Sequence, residues 1–390
     1  MKVASLPQRL LELVRKPGWQ PKNRLNFRRK SAVQRVFGLL VVLRDVRGLL
    51  TLFLVILLLC TIGASSDSAR ASEFLVDGDL FVEVVDNSDG GGIPPERFSE
   101  LLRAYKKGKF DEVAFPFERS NGYNGVRQLY SRRGPRENIF GTAWSSSLNF
   151  EFVYDATGDR MTPRWVDGRL GSPPTPSKLI RIRENSVRLE VSIPAPHRID
   201  VATTFTLVAP HYLDLETAIK AHPGSFQGEW LGLFWANYIH GPEKKTTYFR
   251  ARRGPEGSVE WAATLAEAPP TKRVFAGENE SKLLPGEPDA KGGLLHNVRP
   301  SRFVEPVFYG RWRNMMLEMM FETDQNLRFA IQPKGGGPAN PAWDFAIVIP
   351  SCRPLETYKW KARVVFKPFV NSDDAWQEYK KWISSHGDDR

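Results

Sequence analysis

Between residues 138 and 369, apolar and polar residues alternate with a period of two. The pattern is clearest at 148–154 (LNFEFVY) and 179–183 (LIRIR), and a turn at Asn185-Ser186 leads from the second run into 187–191 (VRLEV). Successive side chains of a strand point to opposite faces of a sheet, so the alternation predicts half-buried strands and a hairpin across 185–186. Further strands are predicted at 198–207, 212–218, 231–238, 246–250, 307–309, 316–322, 328–331, 344–349 and 358–366.

No helical period separates these strands, which argues against a parallel sheet with crossover helices. Ten or more strands in succession predict a mostly β protein, with an antiparallel β-sandwich or barrel. Residues 266–302 are rich in Pro, Gly, Lys and Glu and interrupt the rhythm, so a long insertion loop is predicted there.

Two amphipathic helices flank the predicted strands. Near 95–107, four apolar residues share one face of a 3.6-residue period: Phe98, Leu101, Leu102 and Tyr105. Near the end of the chain, Ser372-Asp373-Asp374 is typical of a helix N-terminus, and aromatic residues follow at helical spacing: Trp376, Tyr379 and Trp382. The pattern predicts a helix over 373–384 that packs its aromatic side chains on the β domain.

A continuous apolar run covers 48–64 (GLLTLFLVILLLCTIGA) and contains no charge. Residues 1–47 hold 12 Lys and Arg against Glu12 and Asp45, and small polar residues follow the run from Ser65. Lys and Arg remain on the cytoplasmic side of a membrane segment. The sequence therefore predicts a signal-anchor or signal peptide at 48–66, with a basic, disordered cytoplasmic leader at 1–47 and an extracytoplasmic main domain.

The fate of this leader stays open at the level of sequence. Ala69-Arg70-Ala71 resembles a signal-peptidase site, and a short apolar core suits a cleaved signal peptide. The basic segment before it is much longer than a usual n-region, which favours an uncleaved anchor. The two alternatives are a single-pass membrane protein and a secreted or periplasmic product that begins after Ala71.

The net charge of +11 comes almost entirely from the leader. Residues 1–71 hold 13 basic and 3 acidic residues, which leaves 42 basic and 41 acidic residues in 72–390. A nearly neutral main domain gives no reason to expect nucleic acid as a partner. Its single cysteine, Cys352, excludes a disulfide within 72–390, so the fold depends on core packing.

The expected organisation has four parts. After the leader (1–47) and the apolar segment (48–66) comes an N-terminal extension, 72–137, with a strand at 80–85 and the helix near 95–107. Residues 138–390 then form the β-sandwich domain, which ends with the helix at 373–384.

Four stretches resemble the galactose mutarotase-like β-supersandwich, in particular its branch of exported bacterial proteins. They are 148–151 (LNFE), 208–216 (VAPHYLDLE), 233–239 (LFWANYI) and 356–369 (ETYKWKARVVFKPF), and the resemblance covers 138–382. It implies a supersandwich fold and carbohydrate as the ligand class, bound in the concave face of the larger sheet.

The resemblance does not extend to the active site of a typical aldose epimerase. Such an enzyme uses two histidines and a glutamate, and their usual local motifs are missing around His211 and His240. The sequence also lacks the phosphate-binding, zinc-protease, dithiol and nucleophile-elbow motifs. No cofactor and no metal site is predicted.

The best candidates for acid–base chemistry lie at 211–216 (HYLDLE), which supplies an imidazole and two carboxylates. In a strand, parity places His211 with Leu213 and Leu215, and Asp214 and Glu216 with Tyr212 on the other face. His211 and Glu216 are then not expected to act together, although the preceding proline also allows His211 to lie in a turn before the strand.

Aromatic side chains are the best candidates for sugar contacts, because a pyranose presents an apolar face with a polar rim. Trp235, Asn237 and His240 are predicted to line a ligand site near a strand end, with Trp312 and Arg311 as further contacts; a core tryptophan and a solvent histidine are the alternative reading. Other tryptophans considered for such contacts are Trp144, Trp165, Trp230 and Trp343.

Two functions follow from these patterns. The first is carbohydrate binding without catalysis in the cell envelope, favoured by many aromatic residues without a convergent acid–base set. The second is a carbohydrate-active enzyme, an epimerase or a glycan-cleaving enzyme, that uses His211 or His240 with a carboxylate. A histidine within about 6 Å of a carboxylate in one open groove would favour the enzyme, since both groups must reach the same substrate.

Overall fold

The computed structural model describes residues 72–86, 124–135, 137–140, 146–155, 160–161, 177–193, 198–224, 230–254, 257–264, 273–280 and 299–385. The described residues belong to one compact unit, Ala69–Arg390. The leader, the apolar segment at 48–66 and the predicted helix near 95–107 lie outside the described residues. No helix in the described part of the chain combines the length and apolar character needed to cross a membrane.

In chain order the described elements are β1 (Ser72–Asp77), β2 (Leu80–Val85), β3 (Gly125–Ser131), β4 (Asn149–Tyr154), β5 (Arg160–Met161), β6 (Ser177–Arg183), β7 (Ser186–Ile193), β8 (Ile199–Val208), β9 (Tyr212–Ala221), β10 (Leu231–Ala236), β11 (Thr247–Arg252), β12 (Val259–Ala263), β13 (Arg273–Ala276), β14 (Phe303–Trp312), β15 (Met315–Phe321), β16 (Leu327–Gln332), β17 (Ala342–Ile349), β18 (Thr357–Pro368) and the helix α1 (Ser372–Ser384).

These strands form three antiparallel sheets. Three strands pair in the order β1-β2-β3, six in the order β13-β16-β17-β10-β4-β5, and nine in the order β12-β11-β14-β15-β18-β9-β8-β7-β6. The antiparallel, mostly β architecture predicted from the alternation is confirmed. The hairpin is confirmed as well, because β6 pairs with β7 and Arg183 lies opposite Ser186.

The main core lies between the six-stranded and nine-stranded sheets. Aromatic rings meet across it: Trp235 of β10 makes an edge contact with Trp360 of β18 at 5.0 Å, and Phe329 of β16 meets Phe308 of β14 at 4.8 Å. Gly310 of β14 is needed here, since a Cβ at this position would come within 2.4 Å of the Trp343 ring.

The three-stranded sheet is tied to the nine-stranded sheet by an ion pair between an arginine and a buried glutamate. Arg181 of β6 donates to Glu73 of β1 at 3.0 Å through its Nε, and also to the carbonyl oxygen of Phe74. Glu73 is 4% exposed, so the guanidinium neutralises a carboxylate that lies away from water.

The prediction of a continuous insertion loop over 266–302 is wrong in part. Residues 273–276 form β13, which pairs with β16 at the edge of the six-stranded sheet and contributes buried Val274 and Phe275 to the cores. Its four residues are too few for alternation to stand out from the surrounding Pro, Gly and charged residues. Strands β1, β3, β5 and β12 were not predicted either.

Candidate functional site

One row of side chains crosses five strands of the nine-stranded sheet on the face turned away from the main core. Cross-strand pairing places Tyr248 opposite Tyr309, Tyr309 opposite Glu318, Glu318 opposite Val365, and Val365 opposite Tyr212. The residues next to them in sequence, Phe249, Phe308, Leu317, Val364 and Leu213, belong to the main core. The alternation of side chains along the strands therefore separates an outer face, which carries the candidate site, from the inner face that packs in the main core.

Helix α1 lies over part of this outer face. Its buried residues Ala375, Tyr379 and Trp382 pack in one cluster with Tyr212 and Val365. Asn371 caps the helix, because its side chain accepts a hydrogen bond from the backbone N–H of Asp374 at 2.8 Å. The helix predicted over 373–384 is confirmed, together with its aromatic packing on the sheet.

Glu318 is the most unusual residue of the row. It is 0% exposed, and both carboxylate oxygens lack a hydrogen-bond partner among the described residues. Burial raises its pKa well above the ordinary value, and the neighbouring charge of Glu378 adds to that rise. The protonated form that burial favours can donate a proton or a hydrogen bond, which is a property of functional carboxyl groups.

Charged side chains surround Glu318 beneath the helix, and we call Glu318, Lys367, Asp374 and Glu378 the charged cluster. Lys367 of β18 bonds to Glu378 and donates to Asp374 at 2.9 Å, so it bridges the sheet to the helix. Burial opposes ionisation of Glu378, but hydrogen bonds from His211, Lys367 and Tyr212 lower its pKa to about 2. The environment thus favours the charged form of Glu378 and the protonated form of Glu318.

Beside the helix, aromatic rings line the outer face. We call this group the aromatic patch, and its members are Tyr248, Trp261, Tyr309, Phe369 and Trp376. The rings of Tyr248 and Tyr309 stack at 5.1 Å, and Trp261 meets Tyr309 edge-on at 4.8 Å. All members except Tyr309 are partly exposed. The patch offers apolar ring faces to a ligand on a rigid sheet.

Polar groups accompany the rings. Neither hydroxyl of Tyr248 and Tyr309 has a hydrogen-bond partner within the described part of the chain, and burial raises the pKa of Tyr309 to about 12, so this phenol remains a donor. Arg250 lies 4.6 Å from the centre of the Trp376 ring, and its Nε is 3.6 Å from Glu305. Arg311 lies 4.4 Å from the centre of the Phe369 ring. Ring faces, hydroxyls and guanidiniums are the groups that recognise sugars.

Two of the sequence-predicted ligand contacts lie in the main core. Trp235 is 2% exposed and stacks on Phe345 at 5.3 Å. Asn237 is fully buried, and its amide is used by the fold: it accepts from the N–H of Leu148 and donates to the carbonyl of Trp343, both at 2.8 Å. Their positions favour the packing alternative that the sequence had left open.

Trp312 and Arg311 point to opposite sides of β14. Trp312 is fully buried and donates its indole N–H to the carbonyl oxygen of His240 at 2.6 Å, whereas Arg311 is exposed on the outer face. His240 lies after β10, and its buried Nδ1 lacks a partner among the described residues. Arg311 is thus the member of the predicted ligand set that reaches the outer face. Trp230 and Trp343 are also buried, and Trp144 and Trp165 lie outside the described residues.

His211 lies in the turn before the strand, which is one of the two positions that the sequence allowed for it. His211 precedes β9, and its Nε2 lies 3.4 Å from Glu378 of the helix. Asp214 and Glu216 share the outer face with Tyr212, as parity predicted, but Asp214 accepts two hydrogen bonds from Arg363, at 2.6 and 2.8 Å. Glu216 is exposed and lies four residues beyond Tyr212, about 14 Å along the strand. His211 and Glu216 are therefore not brought together as an acid–base pair.

Sequence reasoning did not select the aromatic patch or the charged cluster. A partial signal was present in 247–252 (TYFRAR), where Tyr248 and Arg250 alternate with buried Phe249 and Ala251. The meeting of Trp261, Tyr309 and Trp376 depends on pairing between strands that are distant in sequence, which a local pattern does not contain.

Comparisons with protein-family models and with curated proteins found no match. Among solved structures, a candidate aldose 1-epimerase from Escherichia coli K12 shares 13% identity over 76% of this chain and 99% of its own, with a TM-score of 0.38. An alpha-N-acetylgalactosaminidase from Bifidobacterium bifidum shares 12% over 61% of this chain and 34% of its own, with a TM-score of 0.39.

A heparan sulfate lyase from Pedobacter heparinus shares 9% identity over 80% of this chain and 39% of its own, with a TM-score of 0.34. The chain thus spans only about a third of the length of the two larger enzymes. The epimerase-like structure represents the fold class that the sequence resemblance implied. At identities and TM-scores this low, these likenesses say nothing about the activity of this chain.

Proposed function

We propose that the described domain binds carbohydrate on the outer face of its nine-stranded sheet, at the aromatic patch. The observation that supports this proposal best is a set of partly exposed rings beside free tyrosine hydroxyls and guanidiniums. The rings match the apolar C–H face of a pyranose, and the polar groups match its hydroxyl rim. Because Tyr248, Trp261 and Tyr309 stand on paired strands, these rings are held in place before a ligand arrives, which lowers the entropic cost of binding.

A glycan array probed with the full-length chain tests the proposal, followed by calorimetric titration with the best oligosaccharide. Tyr248→Ala removes one ring and one hydroxyl from the patch, and we expect it to weaken binding at least about tenfold. Tyr130→Ala is the matched control, because Tyr130 is a partly buried tyrosine on the three-stranded sheet, away from the patch. The proposal fails if no glycan binds, or if both variants bind like the native chain.

The second candidate is a carbohydrate-active enzyme, and the charged cluster favours it. Burial raises the pKa of Glu318, which lies beside Tyr309 of the patch, while His211 and Glu378 form a close imidazole–carboxylate pair. Helix α1 covers both groups, since the side chains of His211 and Glu378 are each 11% exposed, so substrate contact requires the helix to move. They do not lie in an open groove, and for this reason we place binding first.

A measurement of turnover distinguishes a carbohydrate-active enzyme from a binding module. If Glu318 acts as an acid on a bound sugar, Glu318→Gln removes the transferable proton, and anomer exchange or glycan cleavage falls about 100-fold or more while affinity persists. Polarimetry with simple aldoses and reducing-end assays with the array-selected glycan measure the two reactions. Absence of turnover in the native chain rejects the enzyme and leaves the binding proposal intact.

We further propose that this carbohydrate-binding domain acts outside the cytoplasm, held at the cell envelope by residues 48–66. The support is the uncharged apolar run behind a leader with 12 basic residues in 1–47. The nearly equal numbers of acidic and basic residues in 72–390 give no reason to expect nucleic acid as a partner of this domain.

A further inference from the structure

The cations on the outer face differ in whether a carboxylate neutralises them. Arg363 makes two hydrogen bonds to Asp214, Lys367 bonds to Glu378 and Asp374, and Arg250 is 3.6 Å from Glu305. Arg311 is different, because no carboxylate lies within 4 Å of its guanidinium in the described part of the chain. A full positive charge therefore remains beside the aromatic patch.

Arg311 is also held in a defined position. Its guanidinium lies over the Phe369 ring at 4.4 Å, which is the geometry of a cation–π contact, and Phe369 itself stacks near Tyr309 at 6.0 Å. One face of the guanidinium is thus used by the ring, while its N–H edge remains in solvent because Arg311 is exposed. A preorganised N–H edge is suited to bind two oxygens of a carboxylate or a sulfate.

A second cation lies at the Trp376 ring of the patch. Lys380 of helix α1 is exposed, and its Nζ is 5.8 Å from the centre of the Trp376 ring, again with no carboxylate within 4 Å among the described residues. These two cations each lie over a ring of the same patch and add positive charge to this surface, although the domain as a whole is nearly neutral.

From this arrangement we propose that the patch selects anionic saccharides, with Arg311 as the group that binds the sugar's carboxylate or sulfate ester. The inference rests on the proposed carbohydrate binding and names the class of sugar. The rings take the apolar face of the pyranose, and the N–H edge of Arg311 takes the anion. No bond is made or broken, so the selectivity is one of affinity alone.

The test is calorimetric titration of the full-length chain with three probes: trigalacturonate for the carboxylate, a sulfated galactan oligosaccharide for the sulfate ester, and neutral galactotriose. We expect at least one anionic probe to bind about tenfold or more tightly than the neutral probe, since a charge-assisted bond separates them. Arg311→Gln should abolish this preference and leave the neutral affinity within about twofold. The anionic probe that binds more tightly identifies the anion, carboxylate or sulfate ester, that Arg311 binds.

The basic leader requires a control, because 12 Lys and Arg in 1–47 would attract any polyanion. Arg183→Gln removes the same charge from an exposed residue of β6, at the opposite edge of the nine-stranded sheet, with five strands between it and β14. It should leave the anionic preference unchanged. An anionic preference that survives Arg311→Gln unchanged shows that another cation, in the leader or at Lys380, binds the anion, and it overturns the assignment to Arg311.

Two other outcomes are distinguishable. If neutral and anionic probes bind equally well, the inference fails while the carbohydrate proposal stands. If no oligosaccharide binds, the carbohydrate proposal itself fails. Arg311→Gln alters an exposed side chain, so an unchanged unfolding temperature confirms that any loss of binding reflects the missing guanidinium.

Discussion

Glu318 shows how one buried residue couples the candidate site to pH. Burial raises its pKa, so the folded chain keeps a proton on this carboxyl at pH values where the unfolded chain, with a pKa of about 4.3, has released it. By linkage, its contribution to stability is complete below pH about 4.3 and is lost as pH rises toward the folded pKa. The loss reaches about 1.4 kcal/mol per pH unit within that window.

We therefore predict that Glu318→Gln removes this pH dependence. Glutamine has nearly the same shape and no proton to lose, so the variant should match the native chain within about 1 kcal/mol at pH 4 and exceed it in stability at pH 8. Urea unfolding at several pH values measures both curves. Glu216→Gln, an exposed carboxyl on the same face, should follow the native curve. Parallel curves for native chain and Glu318→Gln would contradict the assignment of this pKa.

At this scale the sequence predicted the face of a residue better than its role. Asp214 and Glu216 lie on the outer face with Tyr212, as the alternation required. Trp235 and Trp312 were chosen as ligand contacts, yet both are buried, because an apolar aromatic residue in a strand suits a core as well as a sugar site. Arg311 was also predicted as a ligand contact and lies exposed on the outer face, but its ring partner Phe369 comes from a distant segment.

At the scale of elements, the attachment of helix α1 depends on charge as well as on its aromatic face. Lys367 is the cation between two helix carboxylates, and although burial opposes its charge, bonds to Glu378 and Asp374 raise its pKa. Glu378, with its lowered pKa, contributes stability above pH about 4.3, and that contribution is lost as pH falls toward 2.

Replacing this cation should destabilise the fold. Lys367→Met leaves two carboxylates beneath the helix without a cation, and we expect a loss of about 3 kcal/mol at pH 8. The loss should shrink at pH 5, because Glu378 without Lys367 can take up a proton there. Urea unfolding measures both values, and Lys359→Met, an exposed lysine of the same strand, should change stability by less than about 0.5 kcal/mol.

A second substitution makes the explanation specific to charge. Lys367→Met combined with Glu378→Gln removes one of the uncompensated carboxylates and should recover part of the lost stability. If the double variant is no more stable than Lys367→Met, or if the loss is equal at pH 5 and pH 8, then Lys367 acts through packing and not through its charge.

The start of the helix gives a separate prediction. Asn371 accepts a hydrogen bond from the N–H of Asp374, so Asn371→Ala should cost about 1 kcal/mol in the free energy of unfolding. Asn371→Ser keeps a capping oxygen and should retain most of that stability. Hydrogen exchange of the first helical turn locates the effect, and equal protection in Asn371→Ala and the native chain would show that the cap is not used.

Element prediction succeeded where the pattern was long and failed where it was short. The ten-residue strands β8 and β9 alternate over most of their length, and both were predicted from that alternation. Strand β13 has four residues and β5 has two, too few for any period to be visible. The order of strands in the sheets was out of reach, because pairing such as β15 with β18 joins segments about 40 residues apart.

At the scale of the whole molecule, charge is divided unequally along the chain. Residues 1–71 carry a net charge of +10 and residues 72–390 a net charge of +1. Within the domain, Arg311 and Lys380 each lie over a ring of the aromatic patch. If the leader remains on the cytoplasmic side, its basic residues cannot reach an extracytoplasmic saccharide, and an anion must then bind to cations of the domain itself.

The intact mass of the mature protein shows whether the leader is cleaved. We predict that the native chain, expressed with its own N-terminus, is recovered in the membrane fraction at about the 44.2 kDa of the full sequence, because the long basic segment favours an anchor over a cleaved signal. Intact-mass measurement of the membrane and soluble fractions gives the answer directly. A soluble product that begins at Ser72 would show cleavage after Ala71 instead.

Replacing Leu54 and Leu57 with Arg raises the cost of inserting the apolar run by several kcal/mol and should retain the protein in the cytoplasm, whereas Leu10→Arg and Leu13→Arg in the leader should not. If the double Arg variant in the apolar run still reaches the envelope, the run is not the export signal, and the domain's encounter with extracellular saccharides loses its support.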